Sequence, residues 1–189
     1  MHGFEINHTG TRTIETERLI LRRYTLDDAP AMFKNWAGDP AVTEYLTWPP
    51  HESVDVTRWV IGDWVKRYEQ PDYYHWALEL KETGEVIGDI AAVRVIEPVA
   101  EAELGWCMGK AWWGKGYMPE AARAVVKYLF DAGFNRACAQ HDVDNPKSGR
   151  VMQKIGMTFE GVSRQGGLNN RGVVDSARYA ILRGDPVTL

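Results

Sequence analysis

The chain has 189 residues, 22 basic against 26 acidic, and a net charge of −4. That length suits one domain with a substantial core and leaves little room for two. The charge offers no general attraction to nucleic acid, mildly favours cationic partners such as amines, and no run approaches the ~20 apolar residues of a membrane span.

Residues 1–189 therefore read as a single domain, with 1–15 as an N-terminal extension that lacks an apolar leader. Cys107 and Cys138 stand alone in apolar strands without a C-x-x-C pairing, which predicts a reducing compartment and a cytoplasmic protein. Residues 16–24 alternate as a first strand, and Thr25-Leu26-Asp27-Asp28 opens a short helix over 29–36. After Gly38-Asp39-Pro40 a second helical entry brings Tyr45, Leu46 and Trp48 up to Pro49-Pro50, whose rings stop it. Residues 53–69 return to helical spacing with a core-facing apolar stripe. Residues 74–80 and 86–96 form a hairpin, and 99–108 add the next antiparallel strand.

The most informative stretch follows. In residues 112–122, Gly114 and Gly116 supply a turn free to adopt φ > 0, and Pro119 suits the first turn of a helix. Ala121, Ala122, Val125, Val126, Leu129 and Phe130 then repeat at helical spacing up to Gly133. Unpaired N–H groups at a helix start form an anion cradle suited to a pyrophosphate. The dinucleotide and P-loop fingerprints are both absent. Beyond the cradle come a strand at 137–143, a short helix at 146–155, a strand at 158–163, a glycine- and asparagine-rich loop at 165–171, and a closing strand at 173–182. Early strands, one helical crossover and a final antiparallel pair predict an α/β fold: a mixed, mostly antiparallel sheet flanked by helices.

Three motifs carry a family resemblance. Thr16-Glu17-Arg18-Leu19-Ile20-Leu21-Arg22, the glycine turn, and Asn145-x-x-Ser148 followed by Lys154-Ile155-Gly156-Met157-x-Phe159-x-Gly161 together resemble the GNAT acetyltransferases, in the RimJ/RimL-like branch, over residues 16–183. The resemblance implies a sheet whose two middle strands splay to admit the pantetheine arm of acetyl-CoA, with no metal. It implies acetyl transfer to a primary amine, first the N-terminal α-amine of a protein or peptide. The alternatives are a small amine (polyamine, amino acid or antibiotic) and a non-catalytic acyl-CoA-binding sensor. No nucleic acid or membrane partner is expected, and a homodimer stays open.

The resemblance also assigns residues. Backbone groups from Gly114 through Lys115, Gly116 and Tyr117 to Met118 would hold the pyrophosphate, and a backbone N–H at Cys107 or Met108 would polarise the thioester carbonyl. Asn145 would cap its helix and meet a pantetheine amide, and Ser148 would sit near the sulfur. Two positions depart from the family: Met152 stands where a tyrosine acid is common, and Ala111 where a Gln or Arg often precedes the first glycine. Glu103, an acid in an apolar strand, is the candidate general base, since burial would raise its pKa. Alternation groups it with Gly105 and Cys107 and leaves open which side faces the substrate. His141 and Asp142 are the runners-up. Tyr45, Trp48, His51 and the 166–171 loop are acceptor-site walls by analogy.

Overall fold

The alternating leucines of the opening motif lie in β2 (Leu19–Arg22), which pairs with the short β1 (Ile14–Glu15) and with β3 (His75–Leu80). The computed structural model describes residues 4–187. The sheet continues through β4 (Val86–Ile96), β5 (Glu101–Met108), β6 (Arg136–Asp142), β8 (Gly172–Leu182) and β7 (Thr158–Asn169) at the edge. Neighbours are antiparallel except β5 and β6, as the mixed architecture read from the sequence requires.

One face is covered by α4 (Tyr117–Asp131) and α5 (Pro146–Lys154). The apolar stripe of α4 (Ala121, Ala122, Val125, Val126, Leu129) is fully buried against Leu19, Leu21, Leu104 and Ala137. Burial of a side chain such as Leu129 stabilises by about 1.5–3 kcal/mol. The other face carries α1 (Ala29–Met32), α2 (Pro40–Thr43) and α3 (Val54–Arg67), with Met32, Trp36 and Ile61 fully buried. After α1 the chain widens into a π turn in which Gly38 N–H donates to Phe33 O at 3.0 Å. This turn sets Asn35 O so close to Gly109 that a Cβ there would lie at 2.5 Å, and so abuts the end of β5.

Two expectations need correction. The helix expected to carry Tyr45, Leu46 and Trp48 ends at Thr43, and those residues form a turn docked elsewhere. The expected 165–171 loop is strand as far as Asn169, leaving only Asn170 and Arg171 in the turn. A bulge between Ser163 and Gly167 absorbs the low strand propensity, with Gln165 at φ 51 and its N–H held by Asp175 Oδ1 at 2.7 Å. Beyond it, Gly167 and Leu168 regain register against Val174 and Val173, so ladder pairing outweighs the turn composition.

Candidate active site

β5 and β6 pair only from Glu101↔Arg136 to Leu104↔Ala139, although β5 runs on to Met108 and β6 to Asp142. The splay implied by the family resemblance is therefore present. Gly109 N–H donates to Ile87 O at 3.0 Å, which turns Gly109 and, by alternation, Cys107 toward β4. Trp106 and Met108 then direct their peptide groups into the gap. Across it, Arg183 N–H donates to Asn135 O at 2.9 Å, so odd-numbered β6 residues face β8 and Gln140 and Asp142 face the gap. The result is a slot edged on both sides by peptide groups without a ladder partner. Cys107 is corrected here: its N–H belongs to the β4 ladder, its side chain is buried among the α1–α3 residues, and burial pushes its thiol well up. Met108 is the gap-facing donor of the two. Its carbonyl accepts from Trp113 Nε1 at 2.7 Å, which fixes the end of the strand.

Past the slot, Gly114 and Gly116 take φ 76 and φ 83, as the cradle requires, and Gly116 caps α4. Among the described residues no protein acceptor pairs the N–H groups from Gly114 to Met118. Arg18 holds the turn open from below. Its Nη1 donates to Lys115 O at 2.9 Å, its Nε to Glu120 Oε2 at 2.7 Å, and its guanidinium lies 4.4 Å from the Tyr117 ring centre. Thr16 Oγ1 donates to Glu120 Oε1 at 2.6 Å. Burial pushes the Glu120 carboxyl up, but these donors outweigh it and hold the group below its usual range. Lys115 is exposed and Met118 buried.

On the far side, Asn145 caps α5: its Oδ1 accepts from Ser148 N–H at 3.5 Å. Ser148 is half-buried, and its hydroxyl has no hydrogen bond among the described residues. Met152, in the usual tyrosine position, is core. Lys147 Nζ lies 4.0 Å from the ring centre of Trp113, linking the start of α5 to the end of β5.

The opposite rim of the slot belongs to the α1–α3 face. Glu103 is buried, and both oxygens are engaged: Oε2 with Arg94 at 2.7 Å, Oε1 as acceptor from Gln140 Nε2 at 2.8 Å. It is a charge-paired carboxylate rather than the isolated buried acid of the sequence argument. His141 packs toward α5, its Nδ1 on Asp142 O at 2.7 Å and its Nε2 sealed against Gly149. Asp142 accepts from Asp144 N–H at 2.9 Å, Asn169 Nδ2 at 2.9 Å and Arg171 Nη1 at 3.1 Å. Burial pushes Asp142 up, but these three donors outweigh it and hold the carboxyl below its ordinary value. The β7–β8 turn is thereby strapped over the mouth. Asn170 Nδ2 donates to Thr43 O and Trp48 O, both at 2.8 Å, and Tyr45 OH reaches Asp144 O at 3.2 Å. Tyr45, Trp48 and the turn are thus held against one another.

Because its folded value is depressed, Asp142 contributes stability above about pH 4, lost as pH falls through that folded value. Arg171→Met should move the carbon-13 titration of the Asp142 carboxyl upward and shift acid unfolding to higher pH. An unmoved titration would show that Arg171 is not a principal partner.

Arg18, Thr16 and Glu120 escape sequence reading because their contacts span a hundred residues, although Thr16-Glu17-Arg18 stood in the opening motif. Among the described residues no helix is long and apolar enough to cross a membrane, and no group of three or more His, Cys, Asp or Glu is placed to hold a metal ion.

Similarity to known proteins agrees with this geometry. The family described as acetyltransferase (GNAT) domain matches residues 18–158. The uncharacterized N-acetyltransferase YoaA of Bacillus subtilis (strain 168) is 33% identical over 171 residues, 90% of this chain and 96% of that protein. The ribosomal-protein-serine acetyltransferase of Escherichia coli (strain K12) is 30% identical over 138 residues, 71% of this chain and 75% of that one. The solved structure of RimL, a ribosomal L7/L12 α-N-protein acetyltransferase in complex with coenzyme A, has a TM-score of 0.78 at 20% identity, over 90% of this chain and 98% of that one. At that identity the likeness speaks for the fold.

Proposed function

The chain belongs to the GNAT acetyltransferases, and from that premise we propose that it transfers the acetyl group of acetyl-CoA to a primary amine, the N-terminal α-amine of a protein or peptide. One observation carries the reading: β5 parts from β6 after Leu104, and the chain that leaves its end enters a turn whose amides, from Gly114 to Met118, have no acceptor among the described residues. Pantetheine is a linear chain with two amides, so it satisfies slot edges that no strand pairs. The pyrophosphate meets the cradle and the positive end of α4, with Lys115 adding charge. Met108 N–H polarises the thioester carbonyl. Asn145 takes a pantetheine amide while capping α5, and the unengaged Ser148 hydroxyl donates to the departing thiolate. Glu103, paired with Arg94 and accepting from Gln140, borders the slot as a carboxylate candidate for the amine proton.

An α-amine is favoured on energy as well as kinship. Deprotonating it at pH 7 costs about 1 kcal/mol, against about 4.6 for a lysine side chain. The named substrate of the E. coli relative, a ribosomal protein, supports a protein acceptor. Calorimetry with acetyl-CoA, followed by thiol release on a panel of peptides beginning with Ser, Ala or Met plus spermidine, tests the proposal. Binding and transfer to a peptide are expected. Transfer only to spermidine reassigns the acceptor. Binding without any transfer makes the protein an acyl-CoA sensor, and no binding removes the cradle.

A further inference from the structure

An ammonium cannot attack a thioester, and a base on the α1–α3 side of the slot would take the acceptor's proton and spare it the cost of arriving neutral. Most titratable groups there are committed. Glu103 is shared by Arg94 and Gln140, Asp142 by Asn169, Arg171 and Asp144 N–H, and Asp144 pairs with Arg171 at 2.8 Å. His75 and Asp89 pair with each other at 3.2 Å beneath Trp64 and Tyr24. His51 is differently placed.

We propose that His51 is the general base of the transfer, an inference that rests on the acetyltransferase reading above. Its main-chain N–H donates to Ala37 O at 2.8 Å, and Asp39 pairs with Lys110, just past β5, at 3.1 Å. These contacts tie the segment that carries His51 to the π turn, whose Asn35 O abuts Gly109 at the end of β5. The His51 ring lies 5.1 Å from that of Trp48, whose carbonyl is strapped by Asn170. His51 Nδ1 is 2.8 Å from Thr57 Oγ1, and that hydroxyl donates its own proton to Ser53 O at 3.4 Å. In the proposed state the ring donates from Nδ1 to the Thr57 hydroxyl, which leaves the lone pair on Nε2. Among the described residues Nε2 has no partner. Burial alone holds the imidazole below its ordinary value, with no charged neighbour contributing, so it is neutral at pH 7. Glu52, Asp55 and Arg58, the charged residues nearest along the chain, are all exposed.

The chemistry balances. Nε2 takes one proton from the substrate ammonium, and the freed lone pair forms the C–N bond at the thioester carbonyl. As the C–S bond breaks, the thiolate takes up the second amine proton and leaves as the thiol, and the imidazolium returns its proton to water.

The test is the pH profile of kcat/KM for whichever panel amine is acetylated, with acetyl-CoA affinity measured in parallel. Because the ammonium is the form that His51 deprotonates, the wild-type profile should fall on the acid side through the ionisation of His51 alone. In His51→Gln the acid limb should move up to the ionisation of the amine, costing about five- to tenfold near pH 7, and most of the loss should be recovered near pH 9.5, where the α-amine is already neutral. The variant's acetyl-CoA affinity should match wild type, which also reports that it is folded. Thr57→Val should fall partway and Thr57→Ser restore the profile, because only the hydroxyl sets the tautomer. An acid limb in His51→Gln that stays where wild type has it, or one that moves in Glu103→Gln instead, overturns the inference while the transfer reading stands. Acetyl-CoA binding with no amine acetylated overturns both.

Discussion

Gly116→Val will bind acetyl-CoA roughly 30- to 100-fold more weakly than wild type, about 2–3 kcal/mol. Gly116 sits at φ 83, where an L-residue pays about 1–2 kcal/mol and a β-branched one more. The backbone can escape only by rotating the turn, and the rotation swings the Gly116 and Tyr117 amides off their common target. A Cβ at this position lies 3.4 Å from Arg18 Nη2, an ordinary contact, but the valine methyls beyond it crowd the guanidinium that holds Lys115 O and Glu120. Two comparisons separate these effects. Gly114→Ala tests strain alone, since φ is 76 and nothing lies within 4 Å of the added carbon. Gly116→Ala adds strain without the methyls. Calorimetry with acetyl-CoA gives the affinities, and the thermal midpoint should fall by only a few degrees, about 2–4 °C per kcal/mol for a chain of this size. Wild-type affinity in Gly116→Val would mean that the turn does not hold the diphosphate.

What could be read from the chain alone was local. The glycine spacing at 114 and 116, the stripe of α4 and the Asn145 cap each lie within a few residues, and each is found where expected. Choices made between distant segments were hidden. Whether Cys107 or Met108 faces the slot depends on which flanking strand takes the alternate peptides, and the pairing of Gly109 with Ile87 decides that. The environment of Glu103 depends on Arg94 and Gln140, one strand away on either side, and they turn a carboxyl expected to be isolated into a paired one. The hairpin of β7 and β8 reads as a loop because its glycines and asparagines signal a turn, while the register that overrules them is a pairwise property. His51 offered one unused local signal, a threonine six residues on in the first turns of a helix.

Gly88→Ala should separate catalysis from cofactor binding. Gly88 stands opposite Met108 in the β4–β5 ladder, and an added Cβ would collide with Cys107 O and lie 3.0 Å from Met108 Cα. Both are backbone atoms, so no side-chain rotation relieves the clash and one strand must move. Overpacking of this kind costs about 1–3 kcal/mol, to be read as a lower midpoint in urea. β5 is the strand with freedom to yield, because its end has lost β6 as a neighbour, and the displacement falls on the peptide that presents Met108 N–H. A shift of about 1 Å in such a group lowers turnover by about a hundredfold. The cradle lies beyond Gly109 and is anchored separately by Arg18, so acetyl-CoA affinity should stay within a few-fold of wild type. Lower stability with unchanged kcat would show that the strand end tolerates the shift and that carbonyl polarisation comes from a different donor. Equal losses in kcat and in affinity would mean that the slot and the cradle move as one body, and that the anchor at Arg18 does not isolate them.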